Sequence, residues 1–90
     1  MHPADSTPAS SRRIEVRFFA MLREQAGCGS TTLFTAAPDA AALYAELQAR
    51  FGLTYSATLL RVAINDRYAR LTDALHPGDR VVFIPPVAGG

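Results

Sequence analysis

The C-terminus of this 90-residue sequence carries the group that points most directly to chemistry. Gly89 and Gly90 have no side chains, so a terminal carboxylate placed after them can enter a channel too narrow for a Cβ atom. The two prolines upstream keep the backbone extended and deny it N–H donors, so a preceding strand cannot simply continue. We therefore predict a projecting tail that spans at most about 20 Å. The tail consists of Pro85, Pro86, Val87, Ala88, Gly89 and Gly90.

The remaining reactive side chains form no recognisable catalytic set. Cys28 is the only cysteine, which excludes an intrachain disulfide, a zinc site of several thiolates and a CxxC redox pair. His2 and His76 are the only histidines, and we expect no metal site. We find no Ser/His/Asp set and no pair of groups suited to acid–base catalysis. The sequence therefore predicts a chain that supplies a reactive terminus rather than a catalytic pocket.

Composition narrows the class of protein. With 49% hydrophobic and 19% charged residues, the chain resembles an ordinary globular protein of one domain. Basic and acidic residues nearly cancel, 9 against 8, so we expect no binding to nucleic acid. The apolar runs are too short to span a bilayer, so we expect no association with a membrane. A single cysteine fits a reducing, cytoplasmic compartment.

The first half of the chain predicts two strands around a short helix. Residues 1–12 contain two prolines and no apolar periodicity, which predicts a disordered leader. The folded domain is expected to cover residues 13–84, beginning with an alternating strand over 14–18. Residues 20–26 favour a helical turn that Gly27 ends. Residues 30–35 are rich in β-branched and aromatic types and predict a second strand.

One long helix and several strands complete the prediction. Asp39 can cap a helix whose apolar residues recur at spacings of three and four until Gly52. Short strands are predicted over 60–64 and 68–71, around a turn at Asn65 and Asp66, and a last strand over 80–84. This order predicts an α+β domain, a β-grasp in which one main helix covers one face of a mixed sheet.

Strand alternation predicts a contact surface beside the tail. If Ile14, Val16 and Phe18 face the core, then Phe19 faces outward, and the same parity turns Ile84 outward. Tyr68, just after the predicted turn, joins this set unless it caps a second small core together with Phe19. Leaving such side chains in water forgoes roughly 1.5–3 kcal/mol each, so a group of them indicates a partner surface.

Two segments carry a resemblance to a known family. The residues IEVRFFAMLREQAG at 14–27 and VAINDRYARLTDALHPGDRVVFIPPVAGG at 62–90 resemble the small, sulfur-carrying subunits of molybdopterin synthase, the MoaD family. The ending FIPPVAGG is the specific element, and the leader is the one departure. The resemblance implies a ubiquitin-like β-grasp and assigns the reactive terminus to Gly90. It also suggests a partner contact for Arg23, which matches the family's Arg-Glu pair.

The resemblance further implies the chemistry and its partners. An E1-like adenylating enzyme would use ATP and Mg²⁺ to activate the terminal glycine, while this chain binds no cofactor itself. A cysteine desulfurase or rhodanese-type protein would then supply sulfur to form a thiocarboxylate. The large subunit of molybdopterin synthase, in a heterotetramer of two small and two large subunits, would use it on cyclic pyranopterin monophosphate.

Three alternatives stay open at this point. Ubiquitin-like sulfur carriers for thiamine synthesis, tRNA thiolation or cysteine synthesis share the fold and the Gly-Gly end. A non-catalytic β-grasp binding module would make the Gly-Gly end incidental. A protein modifier would join its terminus to lysines of other proteins; self-linked chains through lysine are excluded, because all 9 basic residues are arginine.

Overall fold

The computed structural model describes residues 11–86, which form a mixed five-stranded sheet in the order β2-β1-β5-β3-β4. Strands β1 and β5 are parallel, and the other neighbours are antiparallel. No helix within these residues is long and apolar enough to cross a membrane. The elements are β1 Arg12–Phe18, α1 Ala20–Ala26, β2 Ser30–Thr35, α2 Ala40–Phe51, a 3₁₀ helix Ala57–Leu59, β3 Arg61–Ile64, β4 Arg67–Ala69 and β5 Arg80–Ile84.

Helix α2 begins and ends where the sequence predicts. The Asp39 carboxylate accepts a hydrogen bond from the amide of Ala42 at 2.9 Å, which caps the first turn. Gly52 adopts a left-handed φ of 71° and donates its N–H to the carbonyl oxygen of Gln48 at 2.9 Å. The buried side chains of α2 join a single core with one face of the sheet. They are Ala40, Leu43, Tyr44 and Leu47.

The two faces of the sheet follow the predicted parity. Ile14, Val16 and Phe18 are at most 2% exposed, as are the alternating side chains of β5 that neighbour them. The intervening residues of both strands face the opposite side, where no helix within residues 11–86 covers them. The α+β prediction with one helix-covered face is therefore confirmed.

Strand β4 differs from the predicted 68–71. It begins at Arg67, directly after a turn in which Asn65 and Asp66 have φ of 52° and 72°, as the turn prediction requires. It ends at Ala69, because the amide of Arg70 donates to the Asp73 carboxylate at 3.0 Å and turns the chain away from β3. Strand β3 starts one residue later than the predicted 60–64, and β1 starts two residues before the predicted 14–18.

A buried carboxylate ties the β3–β4 turn to the start of β5. Asp79 is 7% exposed and accepts hydrogen bonds at 2.8 Å from the Asn65 side-chain amide and at 2.8 Å from the amide of His76. The Asn65 side-chain oxygen in turn accepts from the amide of Arg80 at 2.9 Å. This network fixes the position of β5, the strand that leads to the C-terminus.

We expect Asp79→Ala to lower the free energy of unfolding by about 1–3 kcal/mol, because it removes the carboxylate that accepts hydrogen bonds from the Asn65 side chain and the amide of His76. Urea unfolding monitored by circular dichroism measures the change. Glu24→Ala is the matched control: that side chain is exposed on helix α1, where alanine is well tolerated, and the change should alter stability by less than about 0.5 kcal/mol. Equal losses for the two variants would contradict the assigned role of Asp79.

Candidate functional site

The central strand β5 delivers the C-terminal segment to one edge of the sheet. Because β1 and β5 are parallel and Phe18 opposes Phe83, the residues that follow each strand emerge side by side. Those residues are Phe19 and Ile84. Pro85 is buried and Pro86 is exposed, so the chain leaves the folded body after Pro85, one residue later than the predicted tail begins. The predicted tail residues Val87, Ala88, Gly89 and Gly90 lie outside the described part of the chain.

An apolar hollow of about 320 Å³ lies where the chain leaves the body. The backbone carbonyl of Tyr55, at its rim, accepts hydrogen bonds from the Tyr44 hydroxyl at 2.8 Å and from the Gln48 side chain at 3.0 Å. Burial raises the pKa of Tyr44, so its hydroxyl remains a hydrogen-bond donor at a more alkaline pH than that of an exposed tyrosine. Helix α2 therefore holds one wall of the hollow in place. The lining residues are Phe19, Ala20, Met21, Tyr55, Ile84, Pro85 and Pro86.

The sharp turn after β1 places Phe19 outside the core. Ala20 has a φ of 52°, an uncommon conformation for a residue with a side chain, so the backbone bends at this point. The carbonyl oxygen of Phe19 then accepts the amide of Leu22 at 3.1 Å as helix α1 begins. The Phe19 side chain is 50% exposed, which agrees with the predicted outward orientation.

Tyr68 extends this surface across the outward face of the sheet. Ala63 opposes both Tyr68 in β4 and Val82 in β5, and its small side chain leaves a shallow depression that Tyr68 and Ile84 also line. The Tyr68 ring is 74% exposed, and the Arg61 guanidinium lies 5.9 Å from its centre. This exposure contradicts the alternative in which Tyr68 and Phe19 cap a second small core.

Arg23 borders the same surface on the side of helix α1. Together with Arg17 and Phe19 it lines an open groove of about 530 Å³. A Cβ atom added at Gly29 would lie 3.4 Å from Nε of Arg23, so the side chain packs closely over that glycine. Of the four predicted contact residues, Phe19 and Ile84 line the hollow itself, Arg23 shares the groove with Phe19, and Tyr68 shares the sheet depression with Ile84. We call Phe19, Arg23, Tyr68 and Ile84, with Pro86, the exit surface.

Two side chains of the hollow, those of Met21 and Tyr55, were not predicted from the sequence. Met21 is 45% exposed and lies in the first turn of α1. Its position two residues after Phe19 could have indicated that it belongs to the same surface. Tyr55 lies in the loop after α2, where no periodicity marks a contact residue.

Cys28 is half-buried between Gly27 and Gly29, and residues 11–86 contain no group of three His, Cys, Asp or Glu side chains that could hold a metal ion.

Comparisons with known proteins identify the family. The ThiS family model matches residues 16–90. The molybdopterin synthase sulfur carrier subunit of Escherichia coli strain K12 is 35% identical over 80 residues, which cover 86% of this chain and 99% of that protein.

Solved structures show the same fold. A chain in the complex of subunits 1 and 2 of molybdopterin-converting factor from Helicobacter pylori 26695 is 34% identical, covers 87% of this chain and 99% of its own, and has a TM-score of 0.58. Small archaeal modifier protein 1 of H. volcanii is 25% identical, with a TM-score of 0.67 and coverage of 84% and 99%. The fold is therefore the ubiquitin-like β-grasp. The chain belongs to the ThiS family and is a ubiquitin-like sulfur carrier of the MoaD/ThiS type.

Proposed function

We propose that this protein is the sulfur-carrying small subunit of a cytoplasmic molybdopterin synthase. The observation that carries the proposal is the 35% identity to the E. coli sulfur carrier subunit, over 99% of its length. The relative from Helicobacter pylori, described as part of a complex of subunits 1 and 2, supports a large-subunit partner for this chain. We propose a heterotetramer of two small and two large subunits.

The proposed chemistry proceeds at the carboxylate of Gly90. An oxygen of that carboxylate attacks the α-phosphorus of ATP on an E1-like enzyme that also binds Mg²⁺, and pyrophosphate leaves. The terminal sulfur of a persulfide on a cysteine desulfurase or rhodanese-type donor then attacks the acyl carbon, so that a C–S bond forms, the C–O bond to AMP breaks and AMP leaves. A thiol reductant cleaves the S–S bond of this acyl disulfide, forms a disulfide with the donor's sulfur and frees the thiocarboxylate. The resulting thiocarboxylate donates its sulfur to cyclic pyranopterin monophosphate on the large subunit. The carrier itself holds no cofactor in this scheme.

Chain length links the exit surface to this chemistry. Four residues follow Pro86 in the sequence, and four residues span at most about 14 Å. A partner whose reactive centre receives Gly90 must therefore approach Pro86 within that distance, which brings it against the exit surface. Covering Phe19, Tyr68 and Ile84 removes apolar side chains from water, each contributing roughly 1.5–3 kcal/mol when fully buried. The exit surface accordingly positions the partner, and the glycines carry the reactive group into it.

Intact-mass measurement tests the proposal. After incubation with the activating enzyme, ATP, Mg²⁺ and a sulfur donor, we expect the chain to gain the mass of one oxygen-to-sulfur exchange, located at Gly90 by fragmentation. Cys28→Ser is the control and should gain the same mass, since the thiocarboxylate needs no cysteine of this chain. No exchange, or an exchange that disappears in Cys28→Ser, would refute the proposed role of Gly90.

A second candidate is a sulfur carrier for another pathway, such as thiamine synthesis, tRNA thiolation or cysteine synthesis. The match to the ThiS family model and the likeness to a small archaeal modifier protein support this candidate. The thiocarboxylated chain, mixed with the large subunit and cyclic pyranopterin monophosphate, separates the two. Formation of molybdopterin supports the first candidate, and retention of the thiocarboxylate with an active large subunit supports the second.

A further inference from the structure

Strand β2 is an outer strand whose far side pairs with nothing in residues 11–86. The amide of Phe18 donates to the carbonyl oxygen of Gly29 at 2.9 Å, continuing the register of the β1–β2 ladder. Since hydrogen-bonded pairs alternate along an antiparallel ladder, the N–H and C=O groups of Ser30, Thr32 and Phe34 point away from β1. The outer edge of β2 therefore presents a row of unpaired backbone donors and acceptors.

The two edges of the sheet differ in how open they are. Strand β4, at the other edge, has three residues, begins at Arg67 and is followed by Arg70. Short strands and charged residues discourage pairing with another chain. Strand β2 has six residues with neither charge nor proline, and its Phe34 side chain is 65% exposed. Of these two edges, the β2 edge thus has the properties of a strand that accepts a further strand.

Positive charge borders this edge at both ends. Arg13 opposes Phe34, Arg17 opposes Ser30, and Arg23 packs over the glycine that precedes β2. Within residues 11–86, Arg13 and Arg23 have no carboxylate within 4.0 Å. Arg17 lies 3.6 Å from Glu15, a carboxylate that it shares with Arg80. A segment lying along β2 would meet the unpaired cation of Arg23 at the Ser30 end, and at the other end Arg13 beside the exposed ring of Phe34.

We propose that the outer edge of β2 is a second docking site, which binds an extended peptide segment with acidic residues at its ends as a sixth strand of the sheet. Backbone hydrogen bonds to Ser30, Thr32 and Phe34 supply affinity, and the flanking arginines select acidic termini. Strand β1 separates this edge from β5. The Ser30 end of the edge meets the exit surface at the groove that Phe19 and Arg23 line, whereas Tyr68, Ile84 and the C-terminal segment stay open to another protein.

Amide hydrogen exchange with a synthetic peptide, Glu-Val-Thr-Val-Thr-Val-Glu with blocked ends, tests the site. We expect the peptide to slow exchange at Ser30, Thr32 and Phe34 by about tenfold or more, while Thr31 and Leu33, already bonded to β1, change little. The same peptide with lysine in place of glutamate should bind about tenfold more weakly. Absence of slowing at the three outward amides, or equal binding of the lysine peptide, would overturn the proposal.

Variants of β2 test whether its outward backbone groups bind the peptide. Thr32→Pro removes an outward N–H without breaking the ladder to β1 and should abolish peptide binding, whereas Thr32→Val should retain it. Phe34→Ser, at an exposed position, should weaken binding with no loss of fold. Peptide binding that survives Thr32→Pro in a natively folded protein would overturn the proposal.

Two further measurements test whether the protein itself occupies this edge. Exchange protection that exists without peptide and vanishes when residues 1–10 are deleted would assign the edge to the chain's own N-terminus. Protection that rises with protein concentration would assign it to a second copy. Either result would overturn the proposal, and we expect neither.

Discussion

Gly89→Val should leave the melting temperature unchanged and abolish both adenylation and sulfur transfer. The substitution lies beyond the last strand and the two prolines, where we expect little buried area and no contribution to folding. In the partner's channel, however, the added branched side chain needs space and restricts backbone angles that glycine allows. Moving the reacting carboxylate by about 1 Å can cost roughly a hundredfold in rate. Appending one residue after Gly90 should have the same effect, because the reactive carboxylate is displaced.

Paired thermal melts and molybdopterin synthesis assays measure the two effects separately. Ala36→Val is a matched control, since it adds similar bulk at an exposed loop position remote from β5. It should synthesise molybdopterin at the normal rate. Near-normal synthesis by Gly89→Val or by the extended chain would show that the terminus does not enter a tight site. The non-catalytic β-grasp module would then be the better account of the protein.

Phe19→Asp should weaken association with both the activating enzyme and the large subunit by at least about a hundredfold while the fold stays native. The side chain is 50% exposed, so the free protein tolerates aspartate, but a covered carboxylate without a partner is costly in an interface. Tyr68→Asp should act in the same direction, at 74% exposure. Because both partners must reach the same terminus, they should compete for the carrier.

Titration calorimetry gives the affinities, and circular dichroism checks the fold. Leu59→Asp is the control: the Leu59 side chain is 56% exposed but lines neither the hollow nor the outward sheet depression. This variant should bind both partners with the affinity of the wild type. Unfolding of Phe19→Asp would place that ring in the core. Simultaneous binding of the two partners to one carrier would show that they use different surfaces.

Local sequence patterns predicted the strands and helices because alternation, capping residues and glycines each favour one backbone conformation. Alternation determined the faces of β1 and β5, and Asp39 and Gly52 set the ends of α2 through hydrogen bonds that depend on neighbouring residues only. The end of β4 was predicted two residues too late, although the Asp73 carboxylate that accepts from the amide of Arg70 lies only three residues further along the chain. Unlike a helix-capping aspartate, an aspartate in a loop does not by its type show which amide it binds.

The site was predicted less completely than the fold, since it is assembled from distant segments. Phe19 and Ile84 follow from alternation, and the pairing of β1 with β5 explains why they lie together. Tyr55 lines the hollow, and its carbonyl oxygen is bound by the Tyr44 hydroxyl of α2, a contact between residues 11 apart that no local pattern indicates. The burial of Pro85 likewise depends on packing against the folded body, whereas its sequence signal indicates only an extended backbone.

The position of β5 also governs how the carrier responds to pulling. A partner that draws the C-terminus into its channel exerts force along β5, which is bonded to β1 on one side and to β3 on the other. If the N-terminal end of β1 is held, the parallel pair is loaded in shear, so its hydrogen bonds share the strain instead of opening one after another. In the proposed function, a terminus withdrawn under such a load leaves the domain folded, so that the same molecule can return for another sulfur atom.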